Sequence, residues 1–184
     1  MSIVFSPAPI AGVVLIRPTV HRDARGFFLE TFRAESYGAA GLPTAFAQAN
    51  HSRSRRGVLR GLHYQITRPQ GKLVRVARGR VWDAVADLRR SSPTFGRTFG
   101  IVLDDEAGIE LWVPPGCAHG YLTLSAEADF LYACTDVWDP PGERTIRWDD
   151  PTLGLDWPLE ESGPPQVSEK DALGLPFVEA PLFP

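Results

Sequence analysis

Residues 72–88, KLVRVARGRVWDAVADL, predict two short β-strands separated by a break at Gly79. Successive side chains of a strand point to opposite faces, so the second half of this stretch predicts a strand with two differently used faces. One face carries Trp82, Ala84, Ala86 and Leu88, and the other carries Val81, Asp83, Val85 and Asp87. Other segments of the chain also predict short strands.

Short runs of strand character recur along the sequence and are punctuated by 17 glycines and 17 prolines. The runs are GVVLIRP, GFFLETFR, KLVRVA, RVWDAVADL, FGIVLD, IELWVPP, GYLTLS and ADFLYACTDVW. Only residues 34–41, AESYGAAG, suggest a short helix, and their glycines weaken it. Many short strands at this spacing predict an all-β barrel or sandwich of the jelly-roll kind.

From about residue 139 the sequence becomes rich in proline, DPPGERTIRWDDPTLGLDWPLEESGPP. Four apolar residues in this segment are expected to attach it to the barrel, namely Trp148, Leu153, Leu155 and Trp157. We therefore predict an ordered C-terminal tail and a single domain that spans residues 1–184.

The composition argues against several classes of protein. Hydrophobic residues make up 43% and charged residues 22% of the chain, and the net charge is −3. A nucleic-acid-binding surface needs a basic excess, so no nucleic-acid partner is expected. No apolar run approaches the roughly 18 residues that span a membrane. Cys117 and Cys134 are too few for a disulfide framework, which favours reduced thiols in a cytoplasmic protein.

His63 lies alone in an apolar, glycine-punctuated segment, RGVLRGLHYQ, that is typical of a strand. Such a histidine can be a hydrogen-bonded core residue, a metal ligand or a proton carrier. His119, in PPGCAHGYL, raises the question of a metal site, but metal sites in such barrels commonly use an H-x-H pair. Gly61 and Gln65 occupy the positions two before and two after His63, so no bound metal is expected. The remaining histidines, His21 and His51, are expected at the surface.

The residue types elsewhere in the chain favour the proton carrier, while a hydrogen-bonded core histidine stays the alternative. A neutral imidazole can accept a proton, a carboxylate on its far nitrogen fixes the tautomer, and a nearby ammonium stabilises an oxyanion. Proton abstraction beside a carbonyl requires such a set. The chain offers Arg60, Lys72, Tyr132, Asp83 and Asp171 for it.

In two short segments, the sequence allows more than one direction for the side chains. Arg60 and His63 are three residues apart and lie on opposite faces of a regular strand, unless a bulge or bend at Gly61 lets both point inward. In RGFF, residues 25–28, Arg25 could bind a phosphate beside a base-stacking platform. The residues alone favour a strand with one buried phenylalanine and an edge arginine.

A basic run and three tryptophans are expected to have structural roles. The basic run RSRR at residues 53–56 is predicted to be a solvated loop that at most helps to hold an anion. Trp82, Trp112 and Trp138 are predicted to pack in the core or at its rim.

Seven fragments, in order, resemble the dTDP-4-dehydrorhamnose 3,5-epimerases. They are HRDARGFFLETFR, QANHSRSRRGVLRGLHYQ, QGKLVRVARGRVWDAVADLRRSSPTFG, LWVPPGCAHGYL, FLYACTD, ERTIRWDDPTLGLDWP and SEKD. Each fragment is weak alone, but seven in register span nearly the whole chain. The resemblance implies an all-β, cupin-type jelly roll with short peripheral helices. It also implies a homodimer that uses no metal or other cofactor and acts on a dTDP-4-keto-6-deoxy-hexose.

The resemblance further implies roles for particular residues. His63 would be the base that removes the protons at C3 and C5, which the C4 ketone acidifies, and Asp171 would orient it. Tyr132 would return a proton on the opposite face, and Lys72 would stabilise the enolate oxygen. The implied substrate contacts are Arg25, Phe28, Glu30, Gln48, Asn50, Arg60, His119, Glu143 and Lys170. The RGFF strand would reach into the site of the neighbouring subunit.

This chain departs from the family after the tyrosine, where Val137 and Trp138 replace a frequent tyrosine pair. The resemblance implies that residues in that region influence whether one or both carbons are inverted. The main expectation is the 3,5-epimerase of dTDP-L-rhamnose synthesis. A mono-epimerase at C5 or C3, a ketoisomerase of a related dTDP-deoxysugar pathway, a non-catalytic sugar-nucleotide-binding cupin and a metal-dependent cupin oxygenase are the alternatives.

Overall fold

The computed structural model describes residues 2–184. Within these residues lie 13 strands, three short α-helices and one 3₁₀ helix. The strands are β1 (Ile3–Pro7), β2 (Val14–Pro18), β3 (His21–Asp23), β4 (Gly26–Phe28), β5 (Gln48–Arg55), β6 (Leu59–Gln65), β7 (Lys72–Arg78), β8 (Arg80–Asp87), β9 (Thr98–Asp104), β10 (Glu110–Val113), β11 (Cys117–Thr123), β12 (Glu127–Cys134) and β13 (Glu143–Thr145). The helices are α1 (Ala34–Ala39), α2 (Leu159–Ser162) and α3 (Glu169–Ala172), and the 3₁₀ helix is Phe177–Glu179. No helix among the described residues is long and apolar enough to cross a membrane.

Two antiparallel sheets face each other. The six-stranded sheet has the order β1-β2-β10-β7-β12-β5, and the five-stranded sheet has the order β13-β6-β11-β8-β9. Buried apolar side chains of both sheets meet between them, including Val74 and Phe130 of one sheet and Val85 and Leu103 of the other. Many neighbouring strands are far apart in sequence, as a jelly roll requires. The predicted all-β jelly-roll fold is confirmed.

Strand β8 uses its two faces as its alternation predicts. Val81 and Val85 point into the core between the sheets. Ala84 and Ala86 face the opposite side, where a second apolar cluster covers the five-stranded sheet. Trp82 belongs to that side and packs edge-on against Trp157, with ring centroids 4.8 Å apart.

The C-terminal tail forms the outer half of that second cluster. Leu153 and Trp157 are buried in it, and Trp148 and Leu155 pack against it. Parallel bridges attach the tail to the barrel at Val58↔Gln166 and Arg89↔Phe183. The prediction of an ordered tail, attached by these four apolar residues, is confirmed.

The segment GFFLETFR is a strand only over Gly26–Phe28, so the longer predicted strand is wrong. The chain leaves the strand because Phe32 turns back to pack on Tyr37, with ring centroids 4.7 Å apart. The β3–β4 hairpin stands apart from both large sheets. Phe27 and Phe28 are 51% and 60% exposed, so the predicted buried phenylalanine is also wrong within this chain.

The basic run at residues 53–56 is not a loop, because residues 53–55 complete β5. That strand pairs with β12 along its whole length. Its side chains alternate between a buried or half-buried face and an exposed face, and Ala49 is its only apolar residue, so no apolar alternation in the sequence predicted this strand. Arg53 pairs with Asp129 at 2.7 Å on the outer side. His51 and His21 are exposed, as predicted.

Candidate active site

A cavity of about 400 Å³ lies between the two sheets. The six-stranded sheet contributes lining residues from β5, β7 and β12, and the five-stranded sheet contributes them from β6, β11 and β13. Eight of the predicted site residues line it: Gln48, Asn50, Arg60, His63, Lys72, His119, Tyr132 and Glu143. Residues scattered over about a hundred positions of sequence therefore converge on one space.

A bulge in β6 allows Arg60 and His63 to line the cavity together. The pairing between β11 and β6 shifts from His119↔His63 to Tyr121↔Arg60, so three steps along β6 match two along β11. Gly61 supplies the extra residue with φ of 117°. A Cβ at Gly61 would lie 2.6 Å from the Cα of Gly120, so only glycine fits this close approach. The bulge predicted at Gly61 is confirmed.

His63 is held by a carboxylate from the C-terminal tail. Its Nε2 lies 2.6 Å from Oδ1 of Asp171, which is buried at helix α3. The backbone N–H of Gly61 donates to Oδ2 of the same carboxylate at 3.3 Å. Burial acts to raise the pKa of Asp171, but the hydrogen bonds and charge of His63 outweigh it and lower that pKa. An ionised Asp171 favours the tautomer with the proton on Nε2, which leaves Nδ1 able to accept a proton.

Lys72 and Tyr132 add a cation and a proton donor to the same cavity. Lys72 is buried on β7, and its Nζ donates to the backbone oxygen of His63 at 3.3 Å. Burial lowers the pKa of the Lys72 ammonium. Burial raises the pKa of the Tyr132 phenol on β12, so this group keeps its proton. A protonated phenol is a proton donor at the carbon it faces.

His119 has a carboxylate of its own. Its Nε2 lies 2.8 Å from Oδ2 of Asp83, which is fully buried on β8. The imidazole also stacks on Phe130, with ring centroids 5.9 Å apart. Burial raises the pKa of Asp83, and His119 and Lys72 oppose that effect. The two carboxylates that the sequence offered for one base therefore serve two different histidines.

The mouth of the cavity is a network of polar side chains around Trp138. The Trp138 backbone N–H donates to Oε1 of Gln48 at 2.7 Å, and its indole Nε1 donates to Oε2 of Glu143 at 3.2 Å. Glu143 also forms an ion pair with Lys170. Burial acts to raise the pKa of Glu143, but its hydrogen bonds with Lys170 and Trp138 outweigh it, so that pKa is lowered. Trp138 is 57% exposed, which confirms its predicted place at a rim, while Trp112 is buried.

Three predicted substrate contacts lie away from the cavity of their own chain. Arg25 is 90% exposed and pairs with Asp23 in the β3–β4 hairpin. Phe28 is exposed on the same hairpin. Glu30 pairs with Arg33 at 2.5 Å. Within one chain, the structure does not bring these three residues to the others.

Sequence reasoning missed seven further lining residues: Ser52, Tyr64, Gln65, Gln70, Gly120, Tyr121 and Phe130. The hydroxyl of Tyr121 lies 2.9 Å from Oγ of Ser52, and its ring stacks on Phe130 at 4.2 Å. Strand alternation would have found three of them. Gln65 is two residues after His63, Tyr121 is two after His119, and Phe130 is two before Tyr132, so each is at the spacing that shares the face of a predicted site residue.

The donor set in the cavity does not resemble a metal centre. Among residues 2–184, no group of three or more His, Cys, Asp or Glu side chains is arranged to hold a metal ion. His63 and His119 each direct Nε2 to a carboxylate. The arrangement can instead accept a proton at His63, donate one at Tyr132 and stabilise negative charge at Lys72.

A family model and a known relative both match almost the whole chain. The family model described as dTDP-4-dehydrorhamnose 3,5-epimerase matches residues 7–179. The dTDP-4-dehydrorhamnose 3,5-epimerase of Pseudomonas aeruginosa is 51% identical over 176 residues, which cover 95% of this chain and 96% of that protein.

Two solved structures share the fold over almost the whole chain. The dTDP-6-deoxy-D-glucose-3,5-epimerase of Legionella pneumophila, in complex with dTDP-4-keto-L-rhamnose, has a TM-score of 0.93 and 42% identity, covering 98% of this chain and 95% of that one. A double variant of a 3'-monoepimerase from Streptomyces bikiniensis, in complex with dTDP, has a TM-score of 0.87 and 33% identity, covering 94% of this chain and 86% of that one. This chain belongs to the dTDP-4-dehydrorhamnose 3,5-epimerase family.

Proposed function

We propose that this protein is an epimerase that converts dTDP-4-dehydro-6-deoxy-D-glucose to dTDP-4-dehydro-L-rhamnose by inverting C3 and C5. The observation that carries the proposal is the cavity itself, which is lined by His63, Lys72 and Tyr132, with Asp171 behind the histidine. These are the groups that proton removal and return beside a ketone require. Membership of the family supplies the substrate class.

The first half of each inversion breaks a C–H bond next to the C4 ketone. His63 takes the proton, and the electron pair moves through the carbon framework to the C4 oxygen to give an enolate. Asp171 keeps the imidazole in the required tautomer and stabilises the imidazolium that forms. Lys72 stabilises the enolate oxygen, and its burial strengthens this interaction because water screens it little.

The second half forms a new C–H bond on the opposite face. Tyr132 donates its phenolic proton to the carbon, the enolate collapses to the ketone, and the configuration is inverted. The proton on His63 passes to solvent, and the phenolate of Tyr132 regains one from solvent, so the cycle closes without a cofactor. The same sequence at the other carbon completes the double inversion.

The polar mouth is the proposed binding site for the rest of the substrate. Gln48, Asn50, Glu143 and Lys170 surround the opening, and His119 lies deeper. Arg60, whose Nε donates to Oγ of Ser54 at 3.0 Å, is the natural partner for a pyrophosphate oxygen within this chain.

A homodimer would complete the site. We propose that the β3–β4 hairpin of one subunit places Arg25, Phe28 and the adjoining Glu30 at the cavity of the other. The exposure of Arg25 and Phe28, and the separation of the hairpin from the large sheets, support this. Mixing Arg25→Ala protein with His63→Ala protein should restore activity, because a mixed dimer has one site with neither substitution. Lack of restoration, with mixed dimers present, would contradict the shared site.

The proposal extends to domain organisation and location. We propose that residues 1–184 act as one jelly-roll domain, since the tail packs on the five-stranded sheet. We also propose a cytoplasmic location, since Cys117 and Cys134 are both free.

A mono-epimerase is the second candidate, because a 3'-monoepimerase is among the similar structures and Trp138 occupies the cavity mouth. Incubation of dTDP-4-keto-6-deoxyglucose with the protein in D₂O separates the two. Double inversion incorporates two deuterons, at C3 and C5, and NMR of the product gives the configuration. Coupling to a downstream reductase measures turnover.

Incorporation at one carbon alone would replace the main proposal with mono-epimerisation. Binding without incorporation would favour a non-catalytic cupin. Metal analysis of the purified protein tests the oxygenase alternative.

A further inference from the structure

Asp83 is a carboxylate at this site that has no role in the proposed reaction. It has no exposed surface, and its Oδ2 lies 2.8 Å from Nε2 of His119. Its other oxygen, Oδ1, has no hydrogen-bond partner among the described residues. A buried carboxylate with an unpaired oxygen is costly unless a nearby charge compensates it.

Lys72 supplies that charge. The titratable groups whose charge acts on Lys72 are Cys134 on β12, Glu143 on β13, Asp83 on β8 and Cys117 on β11, and its Nζ donates to the backbone oxygen of His63 on β6. Burial raises the pKa of both thiols, so the carboxylates are the anions near Lys72. Glu143 is already paired with Lys170 at the mouth of the cavity. Asp83 is therefore the carboxylate left to balance Lys72 in the interior.

We propose that Asp83 is a positioning residue: it holds the His119 ring through Nε2 and is the buried counter-charge of the Lys72 ammonium. Both groups then meet the substrate in fixed positions, and Lys72 stays charged when the enolate forms. The catalytic consequence rests on the proposed function. The coupling between Asp83 and Lys72 can be measured without any substrate.

The sequence makes that measurement simple, because Lys72 and Lys170 are its only lysines. Protein labelled with ¹³C at the lysine Cε atoms gives two NMR signals, and Lys72→Met identifies which is which. In Asp83→Asn the titration midpoint of Lys72 should fall by about one pH unit, because the negative charge that favours the ammonium is gone. Lys170 should titrate as in the native protein. An unchanged Lys72 midpoint would overturn the proposal.

Kinetics provide the second readout. Asp83→Asn should lower kcat by about tenfold or more, because Lys72 loses its counter-charge, and should raise KM by a smaller factor, because the His119 ring is no longer held. The loss of activity on the alkaline side should also begin at a lower pH, because Lys72 loses its proton earlier. Asp87→Asn is the matched control, since Asp87 is buried on the same strand but is held by Arg89 at 2.8 Å. It should lose stability and keep the native alkaline limb; the same alkaline shift in both variants would overturn the proposal.

One measurement does not depend on a folded variant. In histidine-labelled native protein, ¹⁵N NMR should show His119 protonated at Nε2, and protonation at Nδ1 alone would overturn the proposal. Absence of turnover by the native protein would contradict the proposed function, while the Lys72 titration would still decide the role of Asp83.

Discussion

His63 and His119 lie directly opposite each other on neighbouring antiparallel strands, and Nε2 of each ring is held by a different buried carboxylate. Asp171 comes from the tail and Asp83 from the sheet itself. Two imidazoles in one cavity thus have separately fixed orientations. In the proposed reaction, His63 acts as the base and His119 contacts the substrate.

Replacing His63 by alanine should abolish deuterium incorporation at both C3 and C5, because the only proposed proton acceptor is removed. The measurement is mass analysis of substrate recovered from D₂O. Epimerisation by His63→Ala would contradict the assignment.

Replacing Asp171 by asparagine should lower kcat by roughly a hundredfold to ten-thousandfold, because the amide no longer fixes the base in its productive tautomer. Asp149→Asn is the control, because Asp149 pairs with Arg147 at 2.7 Å on the surface. It should retain native kcat. Native kcat in Asp171→Asn would show that the tail carboxylate is not needed.

Replacing Tyr132 by phenylalanine should separate exchange from inversion. Deuterium exchange at the substrate carbons should continue at a reduced rate, since His63 remains, while inverted product should fall well below the level of exchange. Parallel mass and NMR measurements on one reaction mixture give both quantities. Inversion that keeps pace with exchange would exclude Tyr132 as the proton donor.

Replacing Glu110 by glutamine tests a buried acid outside the cavity. Glu110 accepts a hydrogen bond from Tyr37 at 2.7 Å, and its burial raises its pKa to about 7 from 4.5. The folded protein therefore binds more protons than the unfolded one, and its stability falls as the pH rises from about 4.5 to 7.

Glu110→Gln is not subject to this loss and should be more stable than the native protein at pH 8, by up to about 3 kcal/mol. The two should unfold at similar temperatures near pH 4. Glu106→Gln, at an exposed position, should match the native protein at both pH values. A native-like unfolding temperature for Glu110→Gln at pH 8 would contradict the prediction.

Replacing Gly61 by alanine should destabilise the protein and abolish activity, because the added Cβ would lie 2.6 Å from Gly120 and 2.8 Å from the backbone oxygen of His119. Gly154→Ala is the control, since Gly154 also has positive φ but a Cβ added there would meet no atom within 4 Å. It should cost only about 1–2 kcal/mol. Similar unfolding temperatures for the two variants would show that the bulge tolerates a side chain.

Much of the fold could be predicted because apolar alternation survives wherever one strand face meets a core, as in β8. β5 escaped prediction because neither of its faces is apolar. The run after Phe28 was mistaken for strand because Phe32 supplies apolar character but uses it to pack on Tyr37. The sequence pattern shows that a residue is apolar. Tertiary packing decides whether that residue lies in a strand or elsewhere in the core.

The site residues could be chosen by type and by family likeness, and that likeness also implied that Asp171 orients His63. The residue types alone offered both Asp83 and Asp171 for one base, because they do not say which segments meet: His63 and Asp171 are 108 residues apart, and His119 and Asp83 are 36 apart. The bulge at Gly61 was the exception, since the spacing of Arg60 and His63 required one. The contact proposed for Arg25 is made with another subunit, and the family likeness alone implied it.

The C-terminal tail carries Asp171, the carboxylate that holds His63. Catalytic activity can therefore be lost while the barrel stays folded. All strands through β13 are synthesised before Asp171 leaves the ribosome. A nascent chain can therefore form its sheets while His63 still lacks its hydrogen bond to Asp171. A protease that cuts near Gly163 would leave the strands whole while freeing the segment that bears Asp171. Inactivation without unfolding is the expected signature of such a cut.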